Sequence, residues 1–281
     1  MSVALFALLA ALAIWFVCAR QIQARESGQE HWVVYYTDQL PEATFQPYDL
    51  IVFDRDSHPP LKALKAQHKT LLGYISLGEA EKYRPMYAVL EEKDLLLETG
   101  RAWKGNPIID VRKPEWSAYV LDVSIPEILK HGFDGIMIDT ADSIIHIETT
   151  NPARYAGLQV ALVQLIKQIR ARYPDIKIML NRGFEILPQV ADDIDMMLAE
   201  SIYASGNMGA PIFVPADVYQ HYVDLLKAAQ QQSKKLKIYT LDYWPPADIE
   251  NIKRIYATQR QQGFIPYVST PDLQSVIPEP Q

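Results

Sequence analysis

Two apolar runs in this chain each end on a carboxylate. GIMID closes on Asp139 and MMLAE closes on Glu200. A charge at the end of a buried run needs a reason, because burying it unpaired is costly. A rim Asp can simply cap the next helix, a reading open to Asp38 and Asp142, but Glu is a poor N-cap and Glu200 is harder to explain that way. Two carboxylates meeting at one site have a defined chemistry, cleavage of a glycosidic bond. One acid protonates the leaving oxygen, and the other carboxylate attacks the anomeric carbon or activates a water. The ends of the other apolar runs suit a sugar as well. They carry Tyr35 and Tyr36, Asp54, Glu79, Asn181 and Arg182, Tyr203, then Asp242 with Tyr243 and Trp244. Aromatic faces suit the apolar faces of sugar rings, and Asn and Arg suit their hydroxyls.

Other chemistries lack their residues. Cys18 is the one cysteine, and the six histidines show no HxH or HExxH spacing, so neither a thiol nucleophile nor a metal site is expected. No GxGxxG follows the first strand-like run, and no cofactor is expected. With 34 acidic against 27 basic side chains the net charge is −7, the wrong sign for a nucleic-acid partner and the right one for a cationic or neutral ligand.

Eight strand-like runs must position these residues: 32–36, 50–53, 70–77, 135–139, 177–181, 196–200, 237–241 and 264–269. Most are continuously apolar, as strands covered on both faces are. Helical patterns separate them, at 114–131 with Pro114 at its start and Gly132 at its end, 154–173, 216–232 and 247–262. Strand–helix alternation repeated eight times within about 250 residues predicts a single-domain α/β protein of the (β/α)8 TIM-barrel type. In that fold the strand C-termini form the active face, where the carboxylates lie. The longest insertion, 79–113, follows the third strand. Glu79 and Arg84 within it are spaced to form an ion pair.

The uncharged apolar segment Ser2–Ala19 precedes the barrel. It reads as a signal peptide or a membrane anchor, with 20–30 as a polar linker and 31–281 as the folded domain. An exported protein, periplasmic or secreted, is expected, touching a membrane only through this segment.

The motifs YISLGEAEKYR (74–84), Asp110-x-Arg112-x3-Trp116, GFDGIMIDTADS (132–143), LNRGFEIL (180–187) and AESIY (199–203) stand in this order along the chain. Together they resemble glycoside hydrolase family 114, the endo-α-1,4-polygalactosaminidases, and the hydrolase domain of Pel-type biofilm polysaccharide proteins. The resemblance runs from about Trp32 to the C-terminus. It implies a (β/α)8 fold and hydrolysis of α-1,4 bonds in galactosamine-rich polymers, with the paired acids at Asp139 and Glu200. It also adds Tyr74, Asp110 and Arg112 to the substrate-binding candidates Tyr35, Asp54, Glu79, Asp142, Asn181, Arg182, Tyr203, Asp242 and Trp244. A polymer with free amines is cationic, and Glu79, Asp142 and Asp242 are candidates to bind an amine. Asp139 is expected to be the nucleophile of a retaining reaction. Glu200 is expected to be its acid/base, with a pKa raised by burial beside Tyr203 and by Asp139. Asn181, Arg182 and Tyr203 are expected to hold the sugar, and Trp244 to stack on the polymer. A non-catalytic polysaccharide-binding barrel is the alternative.

Overall fold

The computed structural model describes residues 29–97, 106–206 and 210–281. The leader Ser2–Ala19 and Cys18 lie outside them. Numbered in chain order, the strands are β1 (Trp32–Tyr35), β2 (Leu50–Phe53), β3 (Thr70–Ser76), β4 (Gly135–Asp139), β5 (Lys177–Asn181) and β6 (Met196–Glu200), the short β7 (Ala204–Ser205) and β8 (Ile212–Phe213), then β9 (Lys237–Tyr243) and β10 (Ile265–Ser269). Eight of them form one sheet in the order β1-β2-β3-β4-β5-β6-β9-β10, every neighbouring pair parallel. β10 comes back beside β1, where the Trp32 indole donates to the Ile265 carbonyl (2.9 Å). The result is a nearly closed (β/α)8 barrel. β7 and β8 make a separate antiparallel pair between β6 and the helix Ala216–Gln232.

Alternation along each strand decides what the barrel holds. Trp32 lies edge-on to Tyr239 (5.5 Å between ring centres) and Tyr267 (5.8 Å), so these three fill the interior near the barrel floor. Counting by twos, Val34 and Tyr36 follow inward from Trp32, and Leu241 and Tyr243 from Tyr239. The alternate residues face the helices: Tyr35 packs on Phe45 (5.3 Å) and Phe53 (6.4 Å). Both layers of aliphatic side chains are almost wholly out of water.

The helices cover the sheet with two departures from the expected pattern. The run at 114–131 consists of Pro114–Tyr119, a wider π turn at Val120–Ser124, and Ile125–His131. Pro126 has no N–H to donate, and the wider turn falls just ahead of it. Gly132 then ends the run in the left-handed conformation (φ 106°), as a C-terminal glycine does. The single helix expected over 154–173 is two, Pro152–Tyr155 and Leu158–Arg172, parted at left-handed Gly157 (φ 88°). The Glu148 carboxylate accepts from the Gly157 and Gln159 amides (3.0 and 2.6 Å), so the second helix starts on an anion that satisfies its free donors.

β4 carries Asp139 at one end and depends on a glycine at the other. A Cβ on Gly135 would lie 1.9 Å from the Lys177 carbonyl oxygen of β5, with other backbone atoms at 2.6 Å. Gly135→Ala must therefore part β4 from β5. The expected cost is roughly 3 kcal/mol or more, read as a fall in melting temperature of about 6 °C or greater. A variant melting with the parent would show that this junction does not hold the two strands at their present spacing.

Candidate active site

The strands that carry the two carboxylates share a burial pattern. In both β4 and β6 the first four residues are buried and the last one, Asp139 or Glu200, is half-buried. β5 lies between them and ends on Asn181, which is buried. Its side-chain nitrogen donates to Asp139 Oδ1 (2.9 Å) and to Glu200 Oε2 (2.7 Å). Both bonds meet at one atom, so these oxygens stand no farther apart than the two lengths laid end to end, about 5.6 Å. The other Glu200 oxygen accepts from the Tyr243 hydroxyl (2.8 Å). Tyr36 and Tyr74 complete the inner wall, their rings edge to face at 5.3 Å.

Backbone turns hold this group. The residues directly after Asp139, Asn181 and Glu200 are Thr140, Arg182 and Ser201, and all three are left-handed (φ 64°, 55° and 56°). Non-glycine residues seldom adopt that conformation, and it clusters where side chains must be aimed. Each turn is fastened. The Thr140 hydroxyl donates to the Asp139 carbonyl (2.7 Å) and accepts from the Gly78 amide (2.8 Å). Arg182 donates from Nη1 to the Glu200 carbonyl (2.8 Å) and from Nε to Asp142 (2.8 Å). The Ser201 amide donates to the Leu241 carbonyl (2.7 Å).

Burial, then the nearby charge of Glu200, pushes Asp139 up to about 7, against the pull of the Asn181 and Thr140 hydrogen bonds. Burial and the charges of Asp139 and Glu200 also hold the Tyr36 and Tyr243 hydroxyls well above their ordinary range. Asp139, the expected nucleophile, is thus a carboxyl that burial raises. The tyrosine against Glu200 is Tyr243, not Tyr203. Two carboxylates this close hold one proton between them and titrate as a pair.

Other candidates fall around the pair or away from it. Tyr35 is a correction. It is fully buried on the helix-facing side of β1 and its hydroxyl accepts from the Leu40 amide, so its neighbour Tyr36 takes the rim position. Asp242 is a second correction, for the same reason of parity. It is fully buried and accepts from the Tyr203 and Ala204 amides (3.1 and 2.8 Å) and the Gln259 side chain (2.7 Å), tying down the chain after β6. Burial pushes Asp242 up to about 6, against those bonds. Trp244 is a third: its ring stacks on Phe213 (4.4 Å) and its indole donates to Asp248 (2.9 Å), so that face is not presented to a polymer. Tyr203 packs on Tyr219 and Phe213 and accepts from Arg254 (3.0 Å). Asp110 and Arg112 bind each other (2.8 Å), and Arg112 also donates to the Ala156 carbonyl. The alternative for Glu79, an ion pair with Arg84, does not form. Arg84 is buried against Asp54, Asp56 and Glu81 (2.5, 2.6 and 2.9 Å), which leaves Glu79 to Ser143 (2.6 Å) and Asn106 (3.4 Å). Burial opposes it, but the Arg84 bonds hold Asp54 below its usual range, while burial raises Glu79. Tyr36 and Tyr243 take the inner places expected of Tyr35 and Asp242, and the bridging part of Asn181 has no signal in the sequence. Counting by twos from Trp32 and Tyr239 finds both tyrosines. Among the described residues no three His, Cys, Asp or Glu side chains are gathered as metal ligands.

A (β/α)8 barrel with two facing carboxylates at its C-terminal rim has the working parts of a glycosidase. The chain belongs to glycoside-hydrolase family GH114, whose model matches residues 18–281. It is a glycoside hydrolase, which sets aside the non-catalytic barrel. It is similar to the glycoside hydrolase domain of PelA from Pseudomonas aeruginosa, with 27 % identity and a TM-score of 0.77 over 87 % of this chain and 96 % of that one. It shares the fold of Aspergillus fumigatus Ega3, crystallised with galactosamine (15 % identity, TM-score 0.64, 89 % of this chain and 94 % of that one). A Deinococcus radiodurans protein described as uncharacterized is 26 % identical, covering 89 % of this chain and 83 % of its own length.

The raised Asp139 has a consequence for stability. An unfolded chain releases this proton near 3.8, but the folded protein keeps it to about 7. Between those values the folded state binds more protons, so its stability falls as pH rises and the loss is complete above about 7. Asp139→Asn cannot ionise and escapes the loss. Its melting temperature should match the parent near pH 4 and exceed it by roughly 10 °C at pH 8. A difference that does not change with pH would contradict the buried-carboxyl reading.

Proposed function

We propose that the enzyme cleaves α-1,4 bonds in galactosamine-rich polysaccharide by a retaining, two-carboxylate reaction. The observation that carries this is the Asp139–Glu200 pair bridged by one amide. The two bridged oxygens lie at most about 5.6 Å apart, which is compatible with the ~5–5.5 Å of retaining enzymes and below the ~6.5–9.5 Å of inverting ones. In the first step an Asp139 oxygen bonds to the anomeric carbon as the glycosidic C–O bond breaks, and Glu200 gives its proton to the leaving oxygen. In the second, Glu200 takes a proton from water, whose oxygen replaces Asp139 on that carbon. At rest burial keeps a proton on Asp139 up to about 7. A substrate ammonium beside that residue would favour its ionised form and leave the proton for Glu200.

Charge supports an amino-sugar substrate. Asp54, Asp56 and Glu81 outnumber the one Arg84 among them, and the charges of Asp54 and Glu81 reach Tyr36 in the inner wall. Glu79 adds a carboxyl bonded to neutral partners. Such a surplus attracts a polymer of free amines. We also propose export, which the leader Ser2–Ala19 supports. No helix among the described residues is long and apolar enough to cross a membrane. A C-terminal reporter should be active outside the cytoplasm, and activity confined to the cytoplasm would refute export.

The purified enzyme should shorten α-1,4-linked galactosamine polymer, and the fully N-acetylated polymer more slowly. Glu200→Gln should lower kcat/KM on the order of 10² to 10⁴-fold. The alkaline limb of kcat/KM should fall near pH 7, where the pair gives up its one proton. An unchanged polymer size would remove the substrate assignment, and a fully active Glu200→Gln would remove the catalytic one.

A further inference from the structure

Asn181 is placed to do something other than touch a sugar. β5 runs between β4 and β6, so its last inward side chain lies between the last inward side chains of both neighbours. A primary amide has two hydrogens, and here each one goes to a different carboxylate, at 2.9 and 2.7 Å. The amide oxygen, by contrast, is buried without a hydrogen-bond partner. Leaving such an acceptor unmet costs roughly 1–3 kcal/mol. Turning the amide over would aim its oxygen at two carboxylates, which is worse while either is ionised. The orientation is therefore set by the carboxylates, and the unmet oxygen is the consequence.

The next residue reinforces this. Arg182 is left-handed, its amide donates to the Leu198 carbonyl of β6 (3.0 Å), and its guanidinium donates to the Glu200 carbonyl (2.8 Å). Asn181 and Arg182 thus hold Glu200 at both ends, by its carboxylate and by its backbone. Asp139 is held from the same nitrogen.

Resting on the two-carboxylate reading above, we propose that Asn181 is a positioning residue, whose side-chain NH2 fixes the spacing of Asp139 and Glu200 and steadies the charge they share. Without it each carboxylate loses a donor, and repulsion acts on a pair with nothing between its members. Spacing matters here because the reacting carboxylate must approach the anomeric carbon closely, and small misplacements are costly in rate.

The test compares the parent with Asn181→Ala and Asn181→Ser, the latter able to reach one carboxylate at most. The first readout needs no substrate: the pair's carboxyl titration, followed by infrared absorption or by NMR of labelled Asp and Glu. Loss of the shared donor should raise the upper apparent pKa by about one unit in Asn181→Ala, and by less in Asn181→Ser. On galactosamine polymer, kcat should fall about 10²-fold in Asn181→Ala with KM within about threefold, and Asn181→Ser should be intermediate. Near-ultraviolet circular dichroism checks that both variants keep the fold, and Asn181→Ser carries the test if the alanine variant does not. An unchanged titration overturns the proposal. So does a raised KM with kcat intact, which would make Asn181 a sugar contact. If the parent ignores the polymer but the titration shifts as expected, the substrate assignment fails and the positioning role stands.

Discussion

Two carboxylates on one side-chain nitrogen are an unfavourable arrangement by themselves. Asp139 and Glu200 repel each other, both are half-buried, and burial penalises the charge of Asp139. The surrounding structure offsets this with directed donors: Asn181 to both, Tyr243 to Glu200 and the Thr140 amide to Asp139. The remainder of the repulsion is relieved by keeping one proton. A pair that holds one proton near neutrality has an acid and a base available together, which is the resting state a retaining glycosidase requires. In the proposed reaction, the feature that lowers stability is therefore the one that permits the chemistry.

Parallel strands supply this geometry because their ends are brought level. Consecutive strands β4, β5 and β6 contribute Asp139, Asn181 and Glu200 to one small volume, and each strand leaves through a left-handed residue that turns the backbone sharply away. These turns are fastened to neighbouring strands, as the Ser201 amide is to the Leu241 carbonyl of β9. The opposite face of the barrel has a different task. Glu30, just before β1, accepts from Lys237 (2.6 Å) and from the Tyr239 hydroxyl, so the chain enters the domain at the floor.

Much of this was legible in the residues. Four strands, β2, β4, β5 and β6, have the boundaries read from their apolar runs, because burial on both faces writes a continuous signal ended by a polar residue. The same continuity hides which face each residue takes. Tyr35 and Tyr36, like Asp242 and Tyr243, are therefore not told apart by the residues alone: with no polar alternation to read, parity shows only once Trp32 and Tyr239 are known to point inward. Partner choice was hidden too. Glu79 and Arg84 are close in sequence, but Arg84 folds back to Asp54 and Asp56 across β2 and β3, and Asp110 finds Arg112. The split at Gly157 depends on the Glu148 carboxylate nine residues earlier, a contact without a local pattern.

The anomeric configuration of the first product is the most direct test of the paired-carboxylate geometry. A short α-linked galactosamine oligomer would be hydrolysed in an NMR tube and the new reducing end followed before mutarotation. Carboxylates held as close as one amide requires leave no room for a water between Asp139 and the sugar, so the α anomer should form first and convert to β with time. A β anomer at the earliest points would mean that a water attacks directly, and that the spacing of Asp139 and Glu200 during catalysis is not the one seen here.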